Sequence, residues 1–126
     1  MAVEAVAEKG PAVRRLPQEP WEKGIGPGIV DKKIMGSKDS NFMLMGIAKM
    51  DPGVHSPPHR HRYAQIFYFL EGRGQVILDD QPPIDVGPGD VVRMIHAETH
   101  TVVNAGPGPL TLLEVRVLRK EQTEWD

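Results

Sequence analysis

Cysteine is absent from the 126 residues. That removes disulfides, thiolate metal sites and cysteine nucleophiles together, so any metal must be held by histidine, carboxylate or amide groups. Long hydrophobic runs are missing as well. No stretch approaches the length needed to cross a bilayer, and the opening "MAVEAVAEKG" carries acids where a secretion signal needs bases. A cytoplasmic protein with no membrane partner is therefore expected. Strong charge of either sign is also lacking. The net charge of −2 comes without a basic block, so no nucleic-acid partner is expected and a small-molecule substrate fits better.

Helical periodicity is scarce too. Thirteen glycines and twelve prolines interrupt the chain so often that no three-turn apolar stripe survives after residue 30. Strands are what remain. "NFMLMGIAKM" (41–50) ends at "DPG", "AQIFYFLEG" (64–72) ends at Glu71-Gly72, and "GQVILDD" (74–80) runs into "QPP". "DVVRMI" (90–95), "HTVVNAGPG" (100–108) and "LTLLEVRVL" (110–118) come next. Short strands at this spacing predict one all-β domain, a sandwich or barrel. In "QIFYFL" both alternating sets, Gln65, Phe67, Phe69 and Ile66, Tyr68, Leu70, are largely apolar. Such a strand is covered on both faces, by a second sheet or a second subunit, and a homodimer is expected. Residues 1–24 read as an arm or linker, 25–120 as the β domain and 121–126 as a tail. Trp21 is the arm residue least suited to water.

Three of the five histidines fall in "HSPPHRHRYAQ", residues 55–65. On extended backbone His59 and His61 point the same way, and Gln65 lies on that face too if no bulge intervenes. Arg60 and Arg62 point away. Neighbouring imidazoles with a third donor two pleats along form a metal site on a sheet, although His-x-His alone equally describes two surface histidines.

The wider pattern is Gly53, five residues, His59-x-His61, three residues, Gln65, six residues and Gly72. It resembles the first motif of the cupin superfamily, in which the Gln65 position is usually Glu. Gly89, five residues, Ile95, Ala97, His100 and Asn104 resembles the second motif, with Ile95 and Ala97 where Pro and Gly are usual. The resemblance spans roughly residues 42–118. It implies a cupin-type jelly-roll β-barrel, often dimeric, holding one divalent transition metal: zinc, iron, nickel, manganese or copper. Carried over residue by residue, it assigns the metal to His59, His61, Gln65 and His100, with Asn104 structural.

Glutamine in place of glutamate leaves such a metal its full formal charge, because an amide oxygen neutralises nothing. Lewis-acid chemistry on a small organic substrate, of isomerase, lyase or cyclase type, is therefore the leading expectation. Glutamine also occupies this position in cupins resembling uronate-opening enzymes and polyketide cyclases. The alternatives are a metal-dependent dioxygenase and a non-catalytic small-molecule or metal-binding module. No helix-turn-helix accompanies the β domain, which argues against a DNA-binding regulator. His55 reads as a loop residue and His96 as a supporting neighbour of the site, while Met43, Met45, Met50 and Met94 read as core. Candidates for moving protons or clamping charge are Tyr63, Tyr68, Arg73, Arg93, Glu98, Glu114 and Arg116, most of them expected at the surface. Glu114 and Arg116 share a face with Leu112, and that face either meets water or forms a polar pocket wall.

Overall fold

Glycine and proline cut the chain where the sequence predicts. The computed structural model describes residues 12–61 and 64–117, and the strands within them are β1 (Glu22–Lys23), β2 (Ile29–Met35), β3 (Met43–Met50), β4 (Ala64–Glu71), β5 (Gly74–Leu78), β6 (Ile84–Val86), β7 (Val91–Met94), β8 (His100–Val103) and β9 (Leu110–Val117). Among the described residues the only helix is a 3-10 turn at Leu16–Gln18. Every pairing is antiparallel. One sheet runs β1-β2-β3-β9-β4-β7 and the other β6-β5-β8. The two fold over one another as a jelly roll.

Alternation along the strands decides what faces inward. On β4, Gln65, Phe67 and Phe69 are buried, and on β9, Leu110 and Leu112 join them. Val76 from β5 and Val102 from β8 meet these residues from the opposite sheet, with Met50 and Met94 closing the core. The second apolar set on β4 points outward, with Tyr68 and Leu70 exposed at 39% and 42%. Gly72, which ends the first motif, has φ +89°, and a Cβ there would lie 2.3 Å from the Pro109 carbonyl oxygen. Only glycine accommodates both that turn and that approach.

The sheets are stitched together in front of the core. The extended segment before β4 pairs with β8 through bridges His55 to Val103 and His59 to His100. Between the latter two, His100 N–H donates to the His59 carbonyl at 2.8 Å and His59 N–H to the His100 carbonyl at 3.2 Å. Pro57 and Pro58 have no N–H to give, so this segment pairs intermittently and stays extended.

β1, β2 and β6 have no counterpart among the strands expected from the sequence. β1 and β6 are too short to show alternation. In β2, "IVDKKIM", charges break the apolar pattern, yet Lys32 is buried, donating to the Leu16 carbonyl at 2.6 Å. The Lys32 and Lys49 ammonium groups each sit 4.6 Å from the Trp21 ring centre, which accounts for a tryptophan in a polar stretch. Residues 1–11 lie outside the described residues, as do Arg62, Tyr63 and the segment 121–126 read as a tail.

Candidate metal centre

The His59–His100 backbone pairing does more than join sheets, because it sets one histidine of each motif side by side. Their ring centres are 4.3 Å apart; His61 lies 4.9 Å from His59 and 5.7 Å from His100. One donor atom from each of the three falls within 4.8 Å of the other two. Histidine bonds to such metals are about 2.0–2.1 Å, so opposed nitrogens on one ion sit at most about 4.2 Å apart. Inward adjustments well under 1 Å therefore suffice.

Backbone carbonyls fix the tautomers. His59 Nδ1 donates to the Pro57 carbonyl at 2.8 Å and His100 Nδ1 to the Glu98 carbonyl at 3.2 Å. A carbonyl only accepts, so both rings carry a proton on Nδ1, and in the neutral form of either ring the lone pair falls on Nε2. His100 is 1% exposed and its Nε2 has no hydrogen-bond partner, an arrangement that costs free energy unless something electrophilic meets that nitrogen. Burial, then the neighbouring His59 charge, holds the His100 pKa below the usual histidine range. The ring is neutral and ready to donate. These observations fit a divalent transition metal, and the donor set does not single one out.

Gln65 lies on the inward face of β4, one pleat from Phe67, whose ring packs edge-on against His100 at 5.5 Å. It is 1% exposed, and its Oε1 has no hydrogen-bond partner. Its Nε2 donates to Glu114 Oε2. Arg116 donates to the same oxygen from Nε at 3.2 Å and Nη2 at 2.9 Å. Glu114 and Arg116 thus form the polar wall of an interior pocket.

Two cavities share this wall. A narrow one of about 80 Å³ runs among His59, Asp31, Glu114 and Arg116 with apolar walls from Ile29, Phe67 and Leu112. A wider one of about 250 Å³ shares Asp31, Glu114 and Arg116 and extends past Met45 to Lys33 and Ser37. Asp31 was not among the sequence candidates. Next to two lysines it reads as a surface charge, and only the pairing of β2 with β3 turns it inward. Burial raises the Asp31 pKa, Lys33 partly opposes that, and the nearby Glu114 charge adds to it.

The other candidates lie away from the cluster. Tyr68, Arg73 and Arg93 are exposed, as are His55 and His96. Glu98 contributes its backbone carbonyl to His100, and its carboxylate accepts from the His96 N–H. Met50 and Met94 are buried in the core, whereas Met45 lines the wider cavity. Buried Asn104 makes only structural contacts, to Met50, Gly106 and Gly108. Tyr63 lies outside the described residues.

The profile of the Cupin domain family matches residues 46–116, more than half of the chain, and takes in all three clustered histidines. The chain belongs to the cupin family. A 53-residue stretch of this cupin is 30% identical to dimethylsulfoniopropionate lyase DddQ of Ruegeria pomeroyi, spanning 42% of the chain but only 26% of the lyase. The structure of KdgF from Halomonas sp. superposes with a TM-score of 0.68 at 24% identity, over 83% of this chain and 92% of that one. The polyketide cyclase RemF from Streptomyces resistomycificus gives 0.73 at 22% identity, over 90% and 82%. At these identities the structural matches establish the fold alone.

Proposed function

We propose that this cupin is a metal-dependent enzyme that isomerises, eliminates from or cyclises a small organic substrate without redox change. The observation that carries this reading is that the histidine cluster adjoins a cavity whose remaining polar wall is Asp31, Glu114 and Arg116. His59, His61 and His100, with Gln65, would hold one divalent metal, which when bound supplies a Lewis acid to polarise a substrate oxygen. Ile29, Phe67 and Leu112 exclude water from the narrow cavity. Asp31, with its raised pKa, takes a proton from the substrate and returns it. Arg116 balances the Glu114 charge, so the two carboxylates do not face each other uncompensated. Among the similar proteins one is named a lyase and one a cyclase, and both reaction classes need a polarised oxygen and a proton acceptor. The outward apolar face of β4, with Tyr68 and Leu70, supports a homodimer.

The test is turnover on a panel of enols, sugar acids and catechols, with and without oxygen, before and after chelation of metal. Loss of turnover on chelation and its persistence under nitrogen support the reading. Strictly oxygen-dependent turnover would overturn it in favour of a dioxygenase.

A further inference from the structure

We propose that Glu114 is a positioning residue that forces the Gln65 amide to offer its oxygen, and never its nitrogen, to the metal centre; the inference rests on the metal reading above. A glutamine side chain has two nearly isosteric ends of opposite character. The –NH2 end would turn two hydrogens toward a cation, whereas the oxygen donates a lone pair. Nothing within Gln65 chooses between them. A carboxylate chooses, because it accepts and cannot donate, and Glu114 Oε2 holds the Nε2 end. Oε1 is left buried without a hydrogen-bond partner.

The sheet register builds the device. Phe67 on β4 stands opposite Glu114 on β9, and Gln65 stands opposite Arg116. Glu114 therefore reaches Gln65 along the diagonal of the inward face, a span accessible to long side chains. Arg116, with both its Nε and Nη2 on Glu114 Oε2, holds that oxygen in place from the side. The negative charge that glutamate would bring to the metal is thus set back by one side chain. It orients the ligand without joining the ligand set, as outer carboxylates do for ligating histidines.

The test uses cobalt(II) alone as probe, reading affinity by competition with a chelator and ligand geometry from visible d–d absorption. Glu114→Asp keeps the charge but withdraws it by one methylene, so Gln65 loses its fixed orientation. Cobalt affinity should fall about 10-fold or more, with a change in the d–d bands. In a Gln65→Leu background the same substitution should change affinity less than about 2-fold, because its effect runs through Gln65. Glu114→Gln serves the same cycle if the aspartate variant does not fold, since two facing amides pair in either orientation. Equal weakening in both backgrounds would show that Glu114 acts independently of Gln65, and would overturn the proposal while leaving the metal reading standing. Native protein that binds no cobalt would overturn the metal reading and this inference with it.

Discussion

Asn104 is where the structure makes its most quantitative claim about stability. Its Nδ2 donates to the Met50 carbonyl at 3.0 Å and the Gly108 carbonyl at 2.9 Å, while its Oδ1 accepts from Gly106 N–H at 3.1 Å. Alanine removes all three. The Met50 carbonyl belongs to a residue 2% exposed that stays paired with Leu110 in the β3–β9 ladder, so losing its second donor costs about 0.5–1.5 kcal/mol. Gly106 and Gly108 are only partly buried, so water replaces the lost partner and each costs about 0.5–1 kcal/mol. The sum is about 1.5–3.5 kcal/mol, a sizeable part of the roughly 5–15 kcal/mol that holds a domain together. At about 4 °C per kcal/mol for a domain of this size, the melting midpoint should fall by about 6–14 °C. Asn104→Asp should be at least as harmful, because it sets a carboxylate against two carbonyls. Urea unfolding followed by circular dichroism measures both variants, and metal analysis of whatever remains folded should return native stoichiometry. An aspartate variant as stable as the native protein, or an alanine cost below about 1 kcal/mol, would refute this account of the residue.

Ala97 occupies the motif position where glycine is usual and has φ +57°. Relief of about 1–2 kcal/mol of left-handed strain, less about 0.4–1 kcal/mol from the freer unfolded chain, should make Ala97→Gly more stable by about 0.5–1 kcal/mol; destabilisation on urea unfolding would contradict this. His59→Ala, His61→Ala and His100→Ala should each sharply reduce metal content, and full stoichiometry in all three folded variants would end the assignment. Asp31 has its pKa raised in the fold, so the native state binds its proton more tightly than the unfolded chain. The ionised form then costs stability above the folded-state pKa, and that cost vanishes once the pH drops below the unfolded-state value. Asp31→Asn should accordingly be stabilising at neutral pH, neutral near about pH 3, and slow in turnover; equal stability effects at both pH values would refute the burial argument. Light scattering at high concentration should report a homodimer, and Tyr68→Glu on the outward face of β4 should give a monomer.

How much of the fold and site was legible in the sequence depends on whether a residue's partners are local. β4 and β9 announce themselves because each is an apolar-rich run of eight residues bounded by turns. The three histidines could be grouped because two share one strand face and the third falls at a familiar spacing, and the backbone pairing of His59 with His100 makes that grouping physical. Asp31 stayed hidden because a carboxylate beside two lysines looks the same whether its strand is paired or in water. The Gln65–Glu114 contact spans 49 residues and depends on a diagonal register that no local pattern encodes. Parity gave Glu114 and Arg116 the Leu112 face but could not say whether that face was wet. Core packing around Leu110 and Leu112 decided it.

The His59–His100 pairing also governs when the histidine cluster comes into being. These residues are 41 positions apart, counted from 59 to 100, and no local segment contains all three clustered histidines. A nascent chain can form the β4–β5 turn or the β8–β9 turn early, but the histidines converge only as the two sheets close, late in a topology of long-range pairings that folds slowly. An ion entering at that stage leaves the rate-limiting encounter unchanged and stabilises only the closed barrel. Metal should leave the folding arm of the chevron unmoved and lower the unfolding arm, acting as a latch on unfolding rather than a seed for folding.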